Sequence, residues 1–214
     1  LRVGIVAGVV VLIAAVALIV QATRDDGSDS ASGDAPAGAV ESGDGVLVGE
    51  SSAPVDVEVW FDFQCPFCGE FERTSGPVLE EFIADGTAQV LYHPAAFIGE
   101  ESERASNAFG CAVDAGRPAE YMRELFANQP QENTGGYTEE ELLARGEAVG
   151  LTGAEFTACV EDGTYADWGS GTVLDAMRTA GVSSTPTVIV NGEQLESPAT
   201  LSAEEFRAVV EAAV

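Results

Sequence analysis

The period of the hydrophobic positions changes repeatedly along the chain, and each change predicts a different element. From Val3 to Val20 every residue is Val, Ile, Leu, Ala or Gly, with no polar face. At about 1.5 Å per residue this run spans ~27 Å, near the ~30 Å of a hydrocarbon core. It predicts a transmembrane helix, with 1–22 as an anchor. The competing expectation is a cleaved signal sequence cut near Val20-Gln21-Ala22, although signal h-regions usually run only ~7–15 residues. Residues 23–45 are rich in Gly, Ser, Ala and Asp and hold no aromatic residue. Such a stretch buries too little apolar surface to order itself and predicts a flexible acidic linker.

Period-two alternation begins in earnest at Pro54. Val55, Val57 and Val59 alternate with Asp56 and Glu58, as in a strand with one buried face. Val46 to Val48, Gln89 to Tyr92 and Pro186 to Val190 predict three more strands. Asn191-Gly192 is a two-residue hairpin turn across which Gln194 and Leu195 can pair. A helix is predicted from Pro66, which suits the first helical position, with Cys65 as its N-cap. Its apolar positions are Phe67, Phe71, Leu79, Phe82 and Ile83, with a kink expected at Gly76-Pro77 and an end at Gly86. Helical spacing recurs near 101–115, 118–128, 138–149, 153–161 and 165–180. Thr138 with Glu141 and Ser202 with Glu205 read as capping boxes, the second opening a last helix with Phe206, Val209 and Val210 as its stripe. The order predicts an α/β domain over 46–214 with a helical insertion at about 97–180.

Charge narrows the function. The 214 residues carry 36 acids against nine bases, all arginine, for a net charge of -27. Such a surface repels phosphate, so no nucleic-acid partner is expected. The acid runs 139–141 and 204–205 read as solvated helix faces, and His93, before Pro94, as a loop residue outside any site.

Chemistry enters with Cys65-Pro66-Phe67-Cys68. The attacking species in disulfide exchange is a thiolate, and a helix N-terminus favours the anion through its free N–H groups and macrodipole. Cys65 is then the exposed attacker and Cys68, one turn inward, the resolving thiol. Two plainer readings compete: an inert disulfide, or half of a zinc site completed by Cys111, Cys159 and His93. Zinc needs four ligands, and 111 and 159 form no second close pair, so no metal is expected. Cys111 and Cys159, 48 positions apart, read as a structural disulfide worth about 4 kcal/mol in the chain-entropy account, or as two buried free thiols.

The stretch Phe61-Asp62-Phe63-Gln64-Cys65-Pro66-Phe67-Cys68, with Gly181-Val182-Ser183-Ser184-Thr185-Pro186-Thr187 downstream, resembles the DsbA-like branch of the thioredoxin superfamily. It is most similar to the membrane-tethered bacterial forms. The resemblance implies a thioredoxin fold with an inserted helical subdomain and no cofactor. It also implies a cis Thr185–Pro186 bond facing the cysteines, where the backbone at Thr185 pairs with an extended substrate. Departures qualify it. Val59 stands where relatives often carry an acid, six positions before the first cysteine. Asp62 fits the tethered forms and is a possible proton relay to Cys68, or else a surface or helix-capping residue. Phe67 replaces the histidine of the enteric enzyme and cannot donate to a thiolate, so that enzyme's strongly oxidising poise does not carry over.

The sequence therefore predicts a thiol–disulfide oxidoreductase on a single-pass anchor in the cell membrane, its catalytic domain extracytoplasmic. Its expected partners are cysteines of exported proteins and a membrane redox partner that regenerates Cys65–Cys68. The working direction is expected to be disulfide formation. The alternatives are a reductase or isomerase, a redox-inert peptide-binding or chaperone module, and a copper carrier, the last disfavoured for want of Met-rich or His-rich ligands.

Overall fold

The computed structural model describes residues 35–214. The predicted anchor and the first part of the predicted linker lie outside the described residues. Among those described, no helix is long and apolar enough to cross a membrane.

The described chain builds one five-stranded sheet covered by helices. Strands β1 (Val46–Val48) and β2 (Val55–Phe61) are followed by helix α1 (Pro66–Ala84) and strand β3 (Ala88–Pro94). The helical insertion comprises α2 (Glu100–Asp114), α3 (Pro118–Ala127), α4 (Glu139–Ala148) and α5 (Ala154–Glu161). It ends in a π-helical turn, Trp168–Val173, continuing into α6 (Leu174–Thr179). The chain then returns through β4 (Thr187–Val190), β5 (Glu193–Gln194), a 3-10 turn at Pro198–Thr200 and α7 (Ala203–Ala212). The strand order is β1-β3-β2-β4-β5, with β2 and β3 parallel and the other pairs antiparallel. Parallel neighbours need a crossover, and α1 supplies it. This is the thioredoxin-like α/β arrangement with its helical insertion.

The alternation in β2 is realised as predicted. Val55, Val57 and Val59 are buried while Asp56 is exposed. At the strand's C-terminal end both faces close over: Phe61 packs edge-on to Phe63, Phe109 and Phe126, and Trp60 stacks flat on His93 at 3.6 Å. His93 is thus a buried sheet residue, not a loop residue, and burial holds its imidazole below the usual range. Helix α1 runs unbroken through Pro77 and docks against α7 through Phe71 and Phe206, 5.5 Å apart. Gly86, at φ +77°, follows its C-cap in the left-handed conformation that glycine adopts without penalty. Asn191 and Gly192 both take positive φ, the type I′ geometry of a two-residue hairpin. Both capping boxes form.

One expectation needs correction and another refinement. Residues 35–45 are not part of a free linker. The Ala37 N–H donates to Asp114 Oδ1 at 2.8 Å, and the Trp168 indole donates to the Gly43 carbonyl at 2.7 Å. His93 Nδ1 lies 2.8 Å from the Asp44 carbonyl. The segment docks mainly through its backbone, with Pro36 buried and Ala35 against the core, which composition does not reveal. The helix expected over 165–180 is present over 166–179, but its middle, Trp168–Val173, takes the wider π-helical turn, with Gly169 seated tightly against the Pro94 carbonyl and Ser106.

Candidate active site

Cys65 is the N-cap of α1, in an extended conformation (φ -65°, ψ 116°), and Pro66 fills the first helical position. A proline there sacrifices no hydrogen bond, since the first-turn N–H groups have no partner inside the helix. The Cys65 carbonyl starts the helix by accepting from the N–H of Cys68 (3.1 Å) and Gly69 (3.2 Å). Both thiols are free, and Cys65, expected to be exposed, is buried with 6% of its surface open, against 2% for Cys68.

The two sulfurs have opposite electrostatics. The Cys68 thiol, donating to Cys65, lowers the Cys65 pKa to about 6, against the opposing pull of burial. The Thr185 side chain and the N–H groups of Cys68 and Phe67 add to this. Burial, followed by the neighbouring Cys65, pushes Cys68 well above the ordinary thiol range. One thiolate forms readily, and its presence opposes a second.

Thr185 and Pro186 reach this point from the other side of the sheet. Trp60 of β2 pairs with Thr187 of β4, so the β4 entrance lies beside the end of β2. The Thr185–Pro186 bond is cis, and the Cys65 thiol donates to the Thr185 carbonyl at 3.4 Å. The sequence-predicted residues Cys65, Cys68, Thr185 and Pro186 therefore meet in one place, although 120 positions separate Cys65 from Thr185.

Asp62 lies deeper, fully buried. Its Oδ1 accepts from the Gln64 N–H (2.8 Å) and the Ser102 hydroxyl (2.6 Å), its Oδ2 from the N–H groups of Phe97 (3.0 Å) and Ile98 (3.2 Å). Burial pushes this carboxyl up and the four donors pull it back, leaving it above the usual range. None of the four is a cysteine thiol, and Asp62 is not a surface residue. It ties the loop before Cys65 to the start of the insertion.

Sequence reasoning missed three contributors from the insertion. Gln129 donates to the Phe63 carbonyl (2.9 Å) and the Cys65 carbonyl (2.8 Å). The Tyr137 hydroxyl bridges the carbonyls of Phe63 and Leu125, and the Asn133 N–H donates to Gln64 Oε1. These are side chains and loop amides meeting distant backbone, for which no local spacing rule exists. Phe67 was misplaced: it is 64% exposed beside the cysteines, not part of the apolar face of α1. Phe97, 46% exposed, is a second open aromatic ring.

Cys111 and Cys159 form a disulfide, joining α2 to α5. This also leaves the 65/68 pair without the two further thiolates that the zinc reading required. No cluster of three or more His, Cys, Asp or Glu residues suited to a metal occurs among the described residues.

Comparison with known proteins gives the same picture. The family model described as thioredoxin matches residues 41–212. The reduced form of the disulfide bond oxidoreductase DsbG from Mycobacterium tuberculosis superposes with a TM-score of 0.69 at 25% identity, covering 79% of this chain and 87% of that one. A probable disulfide bond formation protein D of Bacillus cereus is 30% identical over 100 residues, 45% of this chain and 46% of that protein. The serine/threonine-protein kinase PknE of M. tuberculosis is 34% identical over 134 residues, 56% of this chain but only 23% of the kinase. The chain thus spans about a quarter of the length of the first curated relatives it matches. On the family match, the fold and the paired cysteines at the helix start, the chain belongs to the thioredoxin family as a DsbA-like thiol–disulfide oxidoreductase.

Proposed function

We propose that the chain is a disulfide-forming oxidase, held at the membrane by residues 1–22 and working on cysteines of exported proteins. The observation that carries the direction is the electrostatic split between the sulfurs. A thiolate held near pKa 6 at Cys65 stabilises the reduced pair relative to the disulfide, and a stabilised reduced form makes the disulfide a stronger oxidant.

In the forward step a substrate thiolate attacks Cys65 Sγ of the 65–68 disulfide. The S–S bond breaks, and Cys68 leaves as a thiolate that takes up a proton, consistent with its raised affinity for one. A second substrate thiolate then attacks the substrate sulfur of the mixed disulfide. Cys65 leaves as the stable thiolate, and the substrate keeps the new S–S bond. Two electrons now reside on Cys65 and Cys68, and a membrane-bound oxidant must remove them before another turnover. Thr185, at the cis bond, offers its backbone to an extended substrate segment beside the sulfur. Asp62 acts here as a clamp for the loop.

The extracytoplasmic placement draws support from the Cys111–Cys159 bridge, since such bonds persist where the surroundings are oxidising. The runner-up is the same exchange run as a reductase or isomerase. Replacement Cys68→Ser, in the full chain, is expected to accumulate mixed disulfides through Cys65, and Cys65→Ser to accumulate none. Equal, negligible capture by both would point to a binding module without exchange. The equilibrium potential of the 65/68 pair against glutathione sets the direction: a value far above that of thioredoxin, at about -270 mV, supports the oxidase, and one near it supports the reductase.

A further inference from the structure

We propose that Gln129, in the loop joining α3 to α4, is a positioning residue for Cys65: its amide sets the backbone that carries the reactive sulfur. The proposal rests on the exchange chemistry above and names a further residue on which it depends.

The Cys65 carbonyl is the origin of α1, and that first turn carries the sulfur's donors, the Cys68 thiol foremost and then the N–H groups of Cys68 and Phe67. The aim of those groups depends on how the Cys65 peptide is held. Pro66 has no N–H, so that peptide cannot be held from its nitrogen side. It is held at the carbonyl oxygen. One Gln129 Nε2 bridges the oxygens of Phe63 and Cys65, at 2.9 and 2.8 Å, spanning the two ends of the tripeptide that enters the helix. Tyr137 and Asn133, from the same connecting loop, secure Phe63 and Gln64.

Gly69 supplies independent support. It lies on the buried face of α1, where alanine would ordinarily be the better helix former. A Cβ built there would overlap Gln129 Oε1, lie 2.9 Å from Gln129 Cδ and lie 3.0 Å from the end of the exposed Arg73 side chain. The arginine can swing aside; the bridging amide cannot move without losing its two carbonyls. The glycine accommodates Gln129, and this makes Gly69→Ala a way of displacing the amide without touching it.

The experiment is the pH dependence of Cys65 alkylation by iodoacetamide in the reduced full chain, with thermal unfolding measured in parallel. The variants are Gln129→Ala, Gln129→Glu (the same shape with no donor), Gly69→Ala and the Gly69→Ala/Gln129→Ala double. We expect the profile to move to higher pH by half a unit or more in each single variant, slowing alkylation about threefold or more at pH 5, below the midpoint, where the rate follows the thiolate fraction. The double variant should match Gln129→Ala alone, because the clash at Gly69 acts only through that amide. A merely structural role lowers the melting temperature and leaves the profile in place. Profiles of the single variants that superpose on wild type overturn the inference, as does a Gly69→Ala effect that persists undiminished without Gln129. A wild-type profile like that of an ordinary thiol would instead overturn the oxidoreductase reading itself, so the two failures are distinct.

Discussion

Glu72 lies four residues beyond Cys68 on the buried face of α1, and burial lifts its carboxyl to about 7 from an ordinary 4.5. Glu80 adds to the shift and Arg123 opposes it. The folded chain therefore holds a proton that the unfolded chain releases between pH 4.5 and 7, and stability falls as pH rises through that window. Replacement Glu72→Gln keeps the shape and removes the titration. Urea unfolding is expected to show a gain of about 2–3 kcal/mol at mildly alkaline pH and little difference below pH 4.5. A gain equal at both ends of the range would mean that the proton is not the cause. At this scale the sequence was most informative about chemistry with a local rule, the spacing of Cys65 and Cys68 at a helix start, while the cis Pro186 was implied by the family resemblance. The network around Asp62 was not legible, because Ser102, Phe97 and Ile98 come to it from across the fold.

Elements were legible where periodicity and punctuation agree. The alternation in β2, the Asn191-Gly192 turn and both capping boxes have direct physical causes, and each appears where it was read. The π-helical turn at Trp168–Val173 escaped because its cause is the close seat of Gly169 against Pro94 and Ser106, a tertiary fact. Residues 35–45 escaped because their backbone hydrogen bonds to Asp114, Trp168 and His93, and the seating of Ala35 and Pro36, are tertiary contacts. The Cys111–Cys159 bridge is the insertion's one covalent tie among the described residues, closing a separation of 48 between α2 and α5. Its removal by paired Cys→Ala replacement is expected to cost about 2–4 kcal/mol and to leave the alkylation profile of Cys65 unchanged. A bridge-free protein with unaltered denaturation midpoint would show that helix packing alone holds the insertion.

Over the whole molecule, charge is the dominant feature beyond the fold. Of the seven arginines in the described residues, six pair with carboxylates and Arg104 donates to the carbonyls of Gly136 and Tyr137. Most acids in a chain of net charge -27 are left to repel one another. Raising sodium chloride from low to molar concentration screens that repulsion and is expected to raise the melting temperature. A melting temperature unchanged by salt would show that the acids are too dispersed to matter. The exchange mechanism makes a narrower demand on the molecule. It requires that reduced chain carry one thiolate, on Cys65, at neutral pH while Cys68 keeps its proton. Following thiolate absorbance in the ultraviolet while the reduced protein is titrated reads this directly. One thiolate should appear with a midpoint near 6 and vanish in Cys65→Ser, the second emerging only in strong alkali. Two thiols ionising together in the range of free cysteine would contradict it.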